Sequence, residues 1–61
     1  MTLLEYDGTM DFLKHELKVK FGLVKTCVHW KSYDAALEIT DEARHIIRQM
    51  KLVELQRRQE Q

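Results

Sequence analysis

Apolar positions recur along this chain at alternating steps of three and four, and they do so twice. In the first half Met10, Leu13, Leu17, Val24 and Cys27, with Lys20 completing the spacing, keep that rhythm; in the second half Ala36, Ile39, Ala43, Ile46, Met50 and Val53 do. An α-helix turns once every 3.6 residues, so each set falls on one narrow stripe of a helix, the seam of a heptad repeat. Strand signals are weak, there is no proline, and Gly8 and Gly22 are the only glycines. Little in the chain interrupts a long helix.

The two seams also fit one another. If the chain reverses at Lys31-Ser32, residues facing across an antiparallel pair have numbers summing to 63. Six layers obey this: Cys27 with Ala36, Val24 with Ile39, Lys20 with Ala43, Leu17 with Ile46, Leu13 with Met50, and Met10 with Val53. Two periodicities agreeing on one turn predict an all-α fold, an antiparallel two-helix hairpin. In the Lys20 layer the small Ala43 leaves room for the lysine stem to pass and carry its ammonium to water.

Turn chemistry sets the expected boundaries. Asp7-Gly8-Thr9 reads as a turn whose Thr or Asp caps a first helix over 9–30, and Ser32 reads as the N-cap of a second over 33–55. Residues 1–8 form an N-terminal segment, from which Leu3, Leu4 and Tyr6 can fold back onto the body. The glutamine-rich stretch 56–61 reads as a frayed tail, having no apolar residue to pin it. Gly22 is a common type of helix stop, yet the seam stays in phase through Val24 and Cys27, so the first helix is expected to continue across it. Trp30 and Tyr33 flank the turn and are expected to close that end by packing over Cys27 and Ala36; the alternative is an exposed aromatic pair at the hairpin tip, of the residue types enriched in binding hot spots.

Length changes the picture. Sixty-one residues (7.3 kDa), 44% of them hydrophobic and 33% charged, suit one small folded domain spanning 1–61. Below about 70–80 residues a single core rarely supplies more than ~3–5 kcal/mol. Cys27, the sole cysteine, cannot close an intramolecular disulfide. Oligomerisation is the remaining device, and the hairpin is expected to assemble as a homodimeric four-helix bundle. No apolar run exceeds the three residues Ala35-Ala36-Leu37, so no membrane span is expected; nor does a secretory leader stand at Met1–Gly8. The expected location is the cytoplasm.

About half of the large apolar residues lie off the seams. One flank gathers Phe12, Val19, Leu23 and Leu52, with Ala35 and His45, and its Glu16, Glu38 and Glu42 contribute three negative charges. The other holds Phe21, Val28, Leu37 and Ile47, bordered by Lys14, Lys18, Lys25, Arg44, Lys51 and Arg58, which outnumber Asp11 and Glu54 by four. A net charge of zero therefore conceals two unlike faces. Contiguous apolar patches mark association sites. Phe12, Val19, Leu23 and Leu52 are assigned to self-association. The basic face, with Lys14, Lys18, Phe21, Lys25, Val28, Leu37, Arg44, Ile47 and Lys51, is assigned to a larger protein presenting acidic and apolar groups. Nucleic acid is the alternative ligand of that same face, because interleaved cations and apolar side chains can track phosphates.

Candidate chemistry adds little. His15, His29 and His45 lack a second ligand at metal-binding spacing, although Asp41 sits one turn before His45, within reach of a hydrogen bond. Cys27 falls on the seam, where thiols are inert. No nucleophile-base constellation or glycine-rich phosphate loop is present, so the chain reads as a non-enzymatic regulator or adaptor without cofactor, metal or small-molecule substrate.

Tyr33-Asp34-x-Ala36-Leu37-Glu38 followed by Ala43 resembles the second helix of a tetratricopeptide repeat. The likeness covers about a fifth of the chain, and the first-helix half departs from the pattern, with Lys20 at the place of an aromatic. It implies shared packing, small alanines admitting a neighbouring helix, and no peptide-binding function.

Overall fold

The computed structural model describes residues 2–59. Two helices of 27 residues each, α1 (Leu3–His29) and α2 (Tyr33–Gln59), pack along one another as a hairpin 46 Å long, 15 Å wide and 9 Å thick in Cα positions. Neither is long and apolar enough to cross a membrane.

The predicted seam is the contact line. Each of its residues, from Met10 to Cys27 and from Ala36 to Val53, is at least half-buried. Among the described residues only Ala36 and Ala43, at 6% and 2% exposure, are fully buried. Helix separation follows the size of the side chains at the contact, and two alanines on α2 let α1 approach. In the Lys20 layer Ala43 is buried, and the Lys20 Nζ reaches out to Glu42 Oε2 at 2.8 Å.

Helix α1 also runs unbroken through Gly22, which adopts no left-handed conformation and whose missing Cβ would meet open space. Gly22 faces away from the seam, so the packing on both sides holds the helix in phase without its help.

At the turn, Lys31 takes the left-handed conformation, φ 60°. The Lys31 N–H donates to Val28 O at 3.0 Å and the Ser32 N–H to Cys27 O at 2.8 Å, the two bonds of a Schellman motif. A lysine occupies the position that glycine fills most often. Ser32 stands immediately before α2, and its carbonyl accepts the Ala36 N–H at 3.0 Å.

Four expectations need correction. Helix α1 starts at Leu3, not near residue 9: Thr2 caps it, its hydroxyl accepting the Glu5 N–H at 3.1 Å while Glu5 Oε2 accepts the Thr2 N–H at 3.3 Å. This reciprocal capping box takes Asp7-Gly8-Thr9 into the helix. Leu3 and Leu4, in that first turn, stay exposed; of the three residues expected to fold back, Tyr6 alone packs. Helix α2 continues to Gln59, because Arg57 and Arg58 are held by Tyr6 and Glu54; Glu60 and Gln61 of the expected tail lie outside the described residues. Trp30 and Tyr33, at 72% and 57% exposure, leave the turn end open, Trp30 resting edge-on against His29 with centroids 5.3 Å apart. The Schellman bonds already close that end through the backbone.

Candidate interaction surface

A hairpin has no third layer, and every large apolar residue that sequence reasoning placed off the seams is exposed. On one broad face lie Phe12, Val19, Leu23 and Leu52; on the other lie Phe21, Val28, Leu37 and Ile47. Phe12 and Leu37 each stand 63% open. The seven-residue rise explains the grouping: on α1, Phe12 and Val19 repeat at one heptad position while Leu23 and Trp30 repeat at its neighbour on the same side.

The acidic face is less acidic than its residue count suggests. The Lys20–Glu42 ion pair neutralises one of its three carboxylates, and the Lys20 ammonium is held above the ordinary lysine value, chiefly by its hydrogen bond to Glu42.

The basic face keeps its cations free along α1. Lys14, Lys18 and Lys25, with Leu17, Phe21 and Gly22, line a shallow open depression of roughly 430 Å³. Gly22 contributes by its lack of a side chain, since a Cβ there would project into unoccupied space. Among the described residues none of the three lysines is ion-paired. On α2, Arg44 lies 3.7 Å from Asp41, a loose pair on the helix surface, and Asp41 turns to Arg44 rather than to His45 as expected. Lys51 is exposed at the lower edge of the same face.

Sequence reasoning missed two features. Trp30 continues the Phe12 stripe, and its signal was the seven-residue step from Leu23. The second is the cluster at the open end of the hairpin, where Tyr6 and Arg57 extend the sum-to-63 register by one layer. The Arg57 guanidinium lies over the Tyr6 ring, 4.7 Å from its centroid, and the Tyr6 hydroxyl donates to the Glu54 carboxylate. Arg57 and Arg58 reach Glu54 Oε1 at 3.8 and 3.4 Å. The tyrosine bond, then the two guanidinium charges, hold the Glu54 carboxyl below the usual carboxylate range; the same bond pushes the Tyr6 phenol up. The signal was charge-coded and escaped a search for apolar steps.

Among the described residues no three His, Cys, Asp or Glu side chains converge as a metal site would require. Cys27 is a free, half-buried thiol on the seam. Comparison with protein-family models, curated proteins and solved structures returns no match.

Proposed function

We propose that this chain is a small non-enzymatic regulator or adaptor. It self-associates through Phe12, Val19, Leu23 and Leu52 into a four-helix bundle and docks a larger protein on its opposite, basic-rimmed face. The observation that carries this reading is the imbalance between interior and surface: among the described residues only two alanines are fully buried, while at least four large apolar side chains stand open on each broad face. A face of that kind lowers its free energy by meeting another apolar face. The acidic face closes on itself at lower electrostatic cost, because two copies of the basic face would bring eight net positive charges together, against six negatives for the acidic face, or four once Lys20 pairs each Glu42. The basic face is thereby left for a partner, whose acidic groups are steered by Lys14, Lys18, Lys25 and Arg44.

Sedimentation at micromolar concentration tests the first half, with a dimer of the 7.3 kDa chain expected. A folded, helical monomer would remove it.

The unpaired lysines around Phe21 favour nucleic acid as a second reading. A gel shift across a salt series separates the two, because phosphate contacts lose affinity steeply and linearly in log salt. Flat or absent binding supports the protein partner.

A further inference from the structure

On the acidic face, α1 carries Phe12, Glu16, Val19, Leu23, Thr26 and Trp30 in one stripe. Laid against its own copy in reverse, this stripe matches itself. Residue numbers summing to 42 pair Phe12 with Trp30, Val19 with Leu23, and Glu16 with Thr26. Each large apolar residue then meets another, and the one carboxylate meets a hydroxyl. Displaced by one heptad, to a sum of 35, the stripe would set Glu16 against Val19 and Trp30 against Glu5.

The matching register places a two-fold axis beside residue 21 of α1, and the hairpin's own layering puts Glu42 of α2 at that height. Two copies of Glu42 would meet there. Lys20 Nζ, 2.8 Å from Glu42 in each copy, supplies the counter-charge at that place, so that carboxylates and ammoniums alternate around the axis. One turn before Glu42 on α2, Glu38 comes within one residue of level with His45 of the second copy. Packing with both turns at the same end does worse: it sets Leu23 near Glu38 and Glu42 of the other copy. A reversed pairing of the basic face, at a sum of 43, sets Lys18 against Lys25.

Resting on the self-association proposed above, we infer that the occupant of the Phe12–Trp30 stripe is a second copy of this chain in reversed orientation. The turns point to opposite ends and the two Lys20–Glu42 pairs sit at the axis. Trp30, open in the isolated hairpin, is an interface residue of that dimer. The dimer is staggered, with the Tyr6–Glu54–Arg57 ends projecting beyond the overlap.

Paired spin labels test the orientation. Lys31→Cys is labelled in a Cys27→Ala background whose helicity matches the parent. Lys31 lies ten residues from the axis, and at ~1.5 Å of rise per residue the two labels should sit about 30 Å apart. Turns at the same end would bring them within about 20 Å, two helix spacings, and would overturn the orientation while leaving self-association intact. A monomer in sedimentation would overturn both. Cross-linking tests the register on surface positions that leave the seam untouched. In the same background, an equimolar mixture of Glu16→Cys and Thr26→Cys copies should form the mixed disulfide on the order of tenfold more readily than Glu16→Cys links to itself, since a disulfide tolerates little error in Cβ separation. Equal or preferential self-linking of Glu16→Cys overturns the register.

Discussion

Ala35 and Ala36 are consecutive residues of one type in the first turn of α2, yet the first is exposed and the second is 6% exposed. The difference between them is the difference between the flank and the seam. Along the seam, small residues carry the packing, since Ala36 and Ala43 set how closely the helices approach and the larger side chains close over them. Along the flanks, larger residues such as Phe12 and Leu37 stay mostly open in the hairpin. Apolarity alone therefore does not mark the interior of this protein; angular position on the helix does. Surface large enough to build a core has been placed where one chain cannot use it, which fits a fold completed by a second molecule.

The largest effect should come from the flank. Phe12→Asp combined with Leu23→Asp removes two apolar side chains worth about 1.5–3 kcal/mol each when buried. The dimer dissociation constant should rise by at least about a hundredfold. Sedimentation reads it directly. Lys18→Glu with Arg44→Glu, on the other face, should leave the dimer intact and slow partner association. If the charge reversal were the pair that breaks the dimer, the two faces would have been assigned the wrong way round.

A smaller effect sharpens the comparison within α2. Ala43→Leu overfills the seam and should destabilise by ~1–3 kcal/mol in urea unfolding. The same change at Ala35 has room in the isolated chain and should stay within about ±0.5 kcal/mol for a surface site in a background kept monomeric by the aspartates. Equal costs at the two positions would erase the distinction between seam and flank.

The turn offers a test of whether backbone geometry, rather than Trp30 and Tyr33, closes that end. Lys31→Gly relieves a left-handed residue and should stabilise by about 1 kcal/mol, partly offset by glycine's greater freedom when unfolded. Thermal melting of the same monomeric background measures it. A loss of stability would mean that the lysine side chain contributes more than its strain costs.

The smallest effect lies at the open end, where a polar cluster continues the seam. Glu54 is held below its ordinary value in the folded state, so its contribution is full above the unfolded value and is lost as pH falls through the depressed one. Tyr6 is held above its ordinary value, so its share is full below that value and is lost as pH rises through the raised one. Tyr6→Phe should flatten both limbs of a melting-temperature profile relative to the parent, leaving the middle nearly level. An unchanged acid limb would show that the bond to Glu54 does not hold that end.

Much of the fold was legible because periodicity is an angular code. Met10, Leu13, Leu17, Val24 and Cys27 lie on one line of a helix whatever surrounds them, and the match to Ala36 through Val53 fixed the turn at Lys31-Ser32. The first turn of α1 was legible too, through Thr2 and Glu5 at capping-box spacing, but the local turn signal of Asp7-Gly8-Thr9 competed with it. Tyr6 and Arg57 escaped because the seam search counted apolar side chains, whereas this layer is held by a cation on a ring.

From sequence alone follow the helix count, the reversal point, the register, and the list of side chains that one hairpin cannot bury, since all depend on spacing along the chain. Tertiary structure decided the rest: that Lys20 neutralises Glu42, that Gly22 opens a depression among Lys14, Lys18 and Lys25, that Trp30 stays open beside the turn, and that Glu54 is shared by a phenol and two guanidiniums. Each of these depends on which of several reachable partners a long side chain meets across two helices. Chain spacing limits that choice, and packing makes it.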